Sequence, residues 1–439
     1  MKFFKKIIPL FIINWYHFSL AFLGTIIYRF PSQKLKVIGV TGTNGKTTVV
    51  EMIAKILEEA DYKVAVLNSI KFKIGGKELP NELRMTMPGR FFIQRFLRQA
   101  ADAHCQYAVL EVTSEGIKQY RHRFIDFEAA VLTNLAPEHI EAHKGFENYK
   151  KAKGKLFEAT KRVHIINLDD NNAEYFLQFP AKEKFGYGIR KQELGIREIK
   201  FIKAENIKVE KDKISFLIHN SLFQIPLLGE FNVYNALAAI SVGISQGIDS
   251  KICKSAVERI EGIPGRMELV ISEPFKVFVD YAFTPNALQK VYETLSGNSK
   301  FQKPKLICVL GACGGGRDKW KRPVLGEIAA KHCDEAILTN EDPYDENPLK
   351  IMEDIESGFS QIPNSKFQIL KYEKILDRRE AIRKALTLAK KGDIVIITGK
   401  GCEPSICLAK GKRMSWDDRK AVREEFSKLK HKITQFLRS

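Results

Sequence analysis

The stretch Thr41-Gly-Thr-Asn-Gly-Lys-Thr-Thr48 has residue types and spacing suited to phosphate. Gly42 and Gly45, with Thr43 and Asn44 between them, let backbone N–H groups approach an anion. A helical pattern from Val49 to Ala60 brings its positive end to the same point. Lys46 reaches terminal phosphates, and the hydroxyl of Thr47, with Thr48 beside it, suits a Mg²⁺ ion. The strict pattern has a glycine five positions before Gly45, where this chain has Val40, so the loop is a variant. A glycine turn without ligand is the plainer reading; the order strand, Gly-Lys-Thr, helix argues against it. Glu111 closes the apolar run Tyr107 to Val112. A carboxylate at a strand end beside such a loop can hold Mg²⁺ or its water, although alone it would read as an ordinary charged residue.

These residues need a frame. Val37 to Val40 reads as a buried strand running into the loop, and Lys63 to Leu67, Ala129 to Leu132 and Val163 to Asn167 read as further strands. Helical stretches at Arg90 to Ala103 and Tyr149 to Phe157 fall between them. Strands alternating with helices predict an α/β fold with a mostly parallel sheet. Ile202 to Ile225 predicts a peripheral β element, and Leu228 to Ile244 an apolar helix. Gly262-Ile-Pro-Gly-Arg-Met-Glu268 is a turn-rich link. Beyond it, strands at Val277 to Tyr281, Leu306 to Leu310, Glu335 to Leu338 and Ile394 to Thr398 predict a second, Rossmann-like α/β unit.

The chain has 439 residues and 44% hydrophobic content, enough for two or three cores. Lys and Arg number 71 against 52 Asp and Glu, a net charge of +19. The cations are spread along the chain, and no zinc-finger, RNA-recognition or helix-turn-helix signature accompanies them. The charge is therefore read as favouring anionic small molecules and a membrane surface over nucleic acid. Seven scattered cysteines without zinc-ligand spacing point to reduced thiols in a cytoplasmic protein. Ile7 to Tyr28 carries no charged residue, and cations flank it. It reads as a membrane-lying or inserted anchor, as a helix packed on the following domain, or as a cleaved signal.

Four segments together carry a resemblance. Thr41 to Thr48 resembles the ATP loop of the Mur ligases, the amide-bond-forming ligases of peptidoglycan assembly. Glu111-Val-Thr-Ser-Glu-Gly-Ile117 resembles their E-V-S-S-H-G-L. Thr133-Asn-Leu-Ala-Pro-Glu-His-Ile-Glu-Ala-His143 resembles T-N-L-x-x-D-H-L-D-Y-H. Tyr149 to Phe157 resembles Y-x-x-A-K-x-K-L-F. The set is similar to the MurE type, which adds the third residue of the stem peptide. The resemblance implies that Lys46 and Thr47 handle ATP and metal, that Glu111 and His139 ligate Mg²⁺, and that Lys153 is carbamoylated and holds a second Mg²⁺. It places Thr86, Thr113, Gln119 and Arg121 on the muramoyl-peptide, while His143 is structural or a ligand. Asn232 and Asn235 match family residues that frame the adenine; on local grounds they equally read as helix caps.

In the C-terminal part, Arg266 and Asp280 match nucleotide contacts, and Arg317, Gly399 and Glu403 match binders of the incoming amino acid. Cys402 replaces a histidine of G-K-G-H-E, and as a nucleophile it has no partner histidine in the motif. The diaminopimelate-adding enzymes carry D-N-P-R, where this chain has Glu341-Asp342-Pro343-Tyr344. Loss of that arginine removes a carboxylate clamp, which disfavours diaminopimelate, and nearby Asp345 and Glu346 suit a side-chain ammonium, which favours lysine or another diamine. The implied organisation is an apolar segment at 1–33, a central ATP-binding domain at 34–264 and an amino-acid-binding domain at 265–439. In the implied reaction ATP phosphorylates the terminal carboxylate of a muramoyl-dipeptide to an acyl phosphate, and the amine of the incoming amino acid then attacks and expels phosphate. About 35 residues precede the loop strand, too few for the family's uridine-binding domain, so either the uridine end of a UDP-linked muramoyl-dipeptide is held differently or the substrate is a lipid-linked muramoyl-dipeptide presented at the inner membrane face. A folylpolyglutamate-type or MurT-like ligase, a nucleic-acid-dependent ATPase and a non-catalytic scaffold are the alternatives.

Overall fold

The structure is a computed structural model that describes residues 9–190, 199–210, 212–296, 304–361 and 371–436. The chain divides into two compact units: Met1–Pro137 with Gly145–Glu261, and Glu138–Lys144 with Gly262–Ser439.

The first unit is built on a nine-stranded sheet. Its strands are β1 (Lys36–Thr41), β2 (Val64–Leu67), β3 (Lys71–Ile74), β4 (Lys77–Pro80), β5 (Tyr107–Glu111), β6 (Phe127–Leu132), β7 (Val163–Asn167), β8 (Glu183–Gly188) and β9 (Ile199–Lys203). They lie in the order β4-β3-β2-β5-β1-β6-β7-β8-β9. All pairs from β2 to β9 are parallel, and the hairpin β3–β4 adds an antiparallel edge. β1 is central, so both its faces are covered. Ile38 and Val40 join one core, and Val37 joins the other. That is why β1 reads as an unbroken apolar run rather than an alternating one. The predicted peripheral element is a three-stranded antiparallel sheet of β10 (Glu205–Val209), β11 (Ile214–Ile218) and β12 (Ser221–Ile225).

Three helices of this unit matter below. Helix α1 (Leu10–Ile27) packs on α3 (Arg90–Asp102), and α2 (Lys46–Glu59) follows the glycine loop. At 18 residues, α1 is about 27 Å long, shorter than the charge-free stretch suggested. No helix among the described residues is long and apolar enough to cross a membrane, which removes the inserted-anchor expectation for them.

The second unit holds a six-stranded sheet of β13 (Glu268–Ile271), β14 (Lys276–Asp280), β15 (Leu306–Leu310), β16 (Glu335–Leu338), β17 (Lys371–Lys374) and β18 (Ile394–Thr398). The order is β13-β14-β18-β15-β16-β17, parallel except for β13. The sequence reading did not anticipate that residues 138–144, flanked on both sides by the first unit, belong to this one.

Candidate active site

The glycine loop sits at the carboxyl end of β1, between β5 and β6, where a doubly wound sheet opens its crevice. Its turn depends on two glycines with left-handed backbone. Gly42 has φ 150° and Gly45 has φ 81°. A Cβ at Gly42 would collide with Thr133 Oγ1, and one at Gly45 with Asn235 Oδ1. Thr133 and Asn134 latch the loop from β6. Thr133 Oγ1 and Asn134 Nδ2 donate to the Asn44 carbonyl at 2.7 and 3.0 Å, and Asn134 Oδ1 accepts from the Asn44 N–H at 3.0 Å. Thr43 Oγ1 is held by Ala136 and Tyr149, each contact 3.0–3.1 Å.

Lys46, the first residue of α2, donates to the Thr43 carbonyl at 2.8 Å and lies 4.0 Å from Glu111. Thr47 Oγ1 donates to Glu111 Oε2 at 2.9 Å. β1 and β5 are in register, Val40 opposite Glu111, so strand pairing itself puts this carboxylate beside the loop. Thr48 is buried one step along α2.

The donor set fits Mg²⁺. A hydroxyl and a carboxylate oxygen converge, both hard oxygen donors, and Mg²⁺ is commonly held by one or two carboxylates with phosphates and water completing the shell. Among the described residues, no three His, Cys, Asp or Glu side chains gather into a metal cage. Ser69 is a residue the sequence reading missed. Its hydroxyl contacts Thr47 Oγ1 at 2.8 Å, and its N–H and hydroxyl donate to Glu111, each at 3.2 Å. The available signal was its place just after β2, at the same edge of the sheet.

Lys153 lies on the helix Phe146–Ala159 and is 1% exposed. Its Nζ donates to the Gly42 carbonyl at 2.7 Å and stands 4.7 Å from the centre of the Tyr149 ring. Burial pushes this amine well below its ordinary pKa; the charge of Lys46 pushes the same way and Glu111 opposes. The plain reading of one more solvated lysine therefore fails for this side chain. A lowered pKa enlarges the neutral fraction of the amine, the form that reacts with CO₂.

Asn232 and Asn235 are buried inside the helix Phe231–Ser245. Asn232 Nδ2 donates to the Leu228 carbonyl at 2.7 Å, and its Oδ1 accepts from Asn235 at 2.8 Å. Neither occupies the N-cap, which is Glu230. The chain behind Gly45 is thus backed by Asn235 rather than by a helix cap.

The four residues assigned to the muramoyl-peptide fall together. Thr113 caps the helix Ser114–Lys118 by accepting from Gly116 N–H. Arg121 donates to Gln119 Oε1 at 2.8 Å and to the Met87 carbonyl, beside the half-buried Thr86.

In the second unit, Asp280 ends β14 and accepts from the N–H groups of Met267 and Ala282, each at 2.6 Å. Burial raises its pKa to about 6, against the pull of Arg266 and the two N–H groups. Arg266 lies over the Tyr281 ring at 4.4 Å, and Tyr281 donates to Glu403 at 2.9 Å. Lys400, fully buried, pairs with Asp342 at 2.9 Å and with Glu403. Glu341 accepts from the Cys313 thiol at 2.9 Å, while its Oε2 is buried without a hydrogen-bond partner. Gly399 has φ 104°, and a Cβ there would strike that oxygen. Arg317 is exposed on the loop after β15. Burial raises the Cys402 thiol, the opposite of an activated thiolate, which disfavours its reading as a nucleophile.

His139 belongs to this second unit, on the segment 138–144, with left-handed φ of 57° and its ring 6.4 Å from that of His143. Two residues unmarked in the sequence reading hold that segment. Asp318 accepts from the N–H groups of Ile140 and Glu141 at 3.1 and 3.0 Å. Lys321 pairs with Glu138 at 2.8 Å, both fully buried. Their signal was the Arg317-Asp-Lys-Trp-Lys-Arg322 run, read only for Arg317.

The comparisons agree along most of the chain. The Mur ligase middle domain matches residues 40–243, and the glutamate ligase domain of Mur ligases matches residues 265–401. The UDP-N-acetylmuramoyl-L-alanyl-D-glutamate–2,6-diaminopimelate ligase of Syntrophomonas wolfei is 40% identical over 415 residues, covering 92% of this chain and 81% of that protein. The corresponding ligase 1 of Clostridium acetobutylicum is 37% identical over 418 residues, 94% of this chain and 82% of its own. A solved structure of a ligase of the same name superposes with a TM-score of 0.58 at 31% identity, covering 90% of this chain and 79% of that one. With both domain models matched and relatives this similar over nearly its whole length, the chain belongs to the Mur ligase family, in its MurE type.

Proposed function

We propose that this protein is an ATP-dependent ligase that adds an amino acid to a muramoyl-dipeptide in peptidoglycan synthesis. The observation that carries the reading is the meeting of Lys46, Thr47, Glu111 and the buried Lys153 amine around one phosphate loop. The named activity of the relatives supports the substrate. Backbone N–H groups of 42–48 and the start of α2 bind the ATP phosphates. Lys46 swings from the Thr43 carbonyl to the transferring phosphoryl group. Thr47 and Glu111 are the proposed Mg²⁺ ligands of the first unit, a carbamate on Lys153 would hold a second Mg²⁺, and His139 of the second unit is a further proposed ligand by the family resemblance. A Mg²⁺ held there would offset charge on the phosphoryl oxygens. Thr86, Thr113, Gln119 and Arg121 orient the dipeptide so that its terminal carboxylate meets that phosphoryl group. Asn232 and Asn235 are the proposed frame for the base, and Arg266 and Asp280 are the second unit's proposed nucleotide contacts. In the second unit Arg317, Glu341, Asp342, Gly399 and Glu403 hold the incoming amino acid. Glu341 Oε2 offers a buried acceptor that suits a side-chain ammonium, so lysine or another diamine, rather than diaminopimelate, is the proposed addition. The proposed division is 34–264 for the ATP-binding domain and 265–439 for the amino-acid-binding domain. The proposed place of action is the cytoplasmic face of the membrane, on a UDP- or lipid-linked substrate.

The test is phosphate release from ATP with Mg²⁺, muramoyl-dipeptide in both linked forms, and a panel of amino acids. Release is expected to be highest with a diamino acid. Absence of release with every combination would overturn the reading.

A further inference from the structure

Helix α1 is built in reverse for a helix whose apolar side closes a core. Its inward stripe is small and polar. Ala21 and Thr25 are buried, Gly24 lies against Phe91 and Gln94 of α3, and His17 meets Arg90. Its large side chains face outward. Phe11, Trp15, Phe18, Phe22 and Ile26 follow at spacings that keep them on one face, and all are exposed, Trp15 to 73%, although Phe18 and Phe22 each keep one side against Phe124 and Phe18 also meets Tyr120. A second stripe of Ile12, Tyr16, Leu23 and Ile27 runs beside it, also exposed. Water-facing helices do not leave a face of this width uncovered.

Charge indicates what covers it. No Asp or Glu occurs before Glu51, whereas Lys2, Lys5, Lys6, Arg29, Lys34, Lys36 and Lys46 do. Arg29 and Lys34 are exposed just beyond the C-terminal end of α1. Arg95 is exposed on α3, and Arg123 is exposed next to Phe124, whose ring packs on Phe18 and Phe22. The apolar face is thus bordered by cations and carries a tryptophan and a tyrosine, the composition of a helix seated between acyl chains and anionic head groups. A second copy fits less well, because a twofold contact through this face would bring two such cationic borders together.

We propose that the outward face of α1 docks on an anionic lipid bilayer, with the helix lying in the plane of the interface rather than crossing it. This deepens the membrane-side reading above. Its test requires no turnover, so either reading fails alone.

The full chain is floated with vesicles of phosphatidylglycerol and phosphatidylcholine, and with phosphatidylcholine alone. The expected result is flotation with the anionic vesicles, lost as salt rises, with Trp15 emission shifting to the blue. The double variant W15S/F22S is expected to bind about tenfold more weakly or worse, and R29E/K34E to lose the preference for anionic lipid. Both variants keep phosphate release with soluble substrate. If W15S/F22S is poorly folded by circular dichroism, R29E/K34E, which alters only exposed cations, decides the question. Wild-type protein left in the soluble fraction with both vesicle types overturns the proposal. So does flotation of the variants equal to wild type, or a dimer dissolved by W15S/F22S without any vesicle binding.

Discussion

Replacing Lys153 by methionine separates the charge of this side chain from its volume. In the folded chain the amine is buried 2.7 Å from the Gly42 carbonyl, and burial with the Lys46 charge holds its pKa well below 10.5. In the unfolded chain it returns to about 10.4. Between those two values the unfolded state binds one more proton than the native state. Stability therefore rises with pH across that window, by up to about 1.4 kcal/mol per pH unit from this one group. Below the folded pKa the buried ammonium is a full penalty; above the unfolded pKa the penalty is gone. The K153M variant has no proton to release, so its stability lacks that slope, and at the acidic end of the window it is more stable than wild type. The assay is urea unfolding of both proteins in carbonate-free buffer from about pH 6 to pH 10, taking the difference between them so that other groups cancel. Added bicarbonate is expected to raise ligase activity of the wild type, while K153M stays about 100-fold or more below it. A flat difference curve would refute the reasoning, because it would mean that the amine is charged in the folded state and is no nucleophile towards CO₂.

Other perturbations give sharp outcomes. Glu111→Gln removes the carboxylate that Thr47 and Ser69 surround, so phosphate release should need far more Mg²⁺, read by titration, with the fold intact by circular dichroism. Gly45→Ala puts a methyl group against Asn235 at φ 81° and should cost about 1–3 kcal/mol together with weakened ATP binding; unchanged nucleotide affinity would count against the loop as the site. Lys321→Met strands the buried Glu138 carboxylate, whose pKa burial already raises, and should destabilise the second unit by about 3–5 kcal/mol, most of it recovered in the double variant with Glu138→Leu. Glu341→Gln should raise the KM for a diamino acid more than it lowers kcat, and an equal effect on a monoamino acid would remove its role in selecting the side chain.

The α/β class was legible because β1 and its neighbours are short apolar runs punctuated by glycine turns and separated by helical stretches. The loop was legible because its chemistry is written in consecutive residues. Ser69 was not, since one serine after a four-residue strand carries no pattern; only the pairing of β2 with β5 brings it to Glu111. The side of α1 that packs was equally hidden. Periodicity marks large apolar residues as the inward set, and here they are the outward one. The burial of Lys153 in a helix rich in exposed lysines also lay beyond composition, because it depends on where the helix rests against β1.

The excursion of residues 138–144 has a consequence for modularity. The chain passes from one unit to the other three times, at 137/138, 144/145 and 261/262, so no single cut separates them. A fragment beginning at Gly262 would carry Lys321 without its counter-ion and Asp318 without the two N–H groups it caps. A contiguous fragment ending at Glu261 would retain that segment with no such partners. Exchanging the second unit with that of a relative therefore requires moving seven residues, 138–144, that lie in the middle of the first unit's sequence.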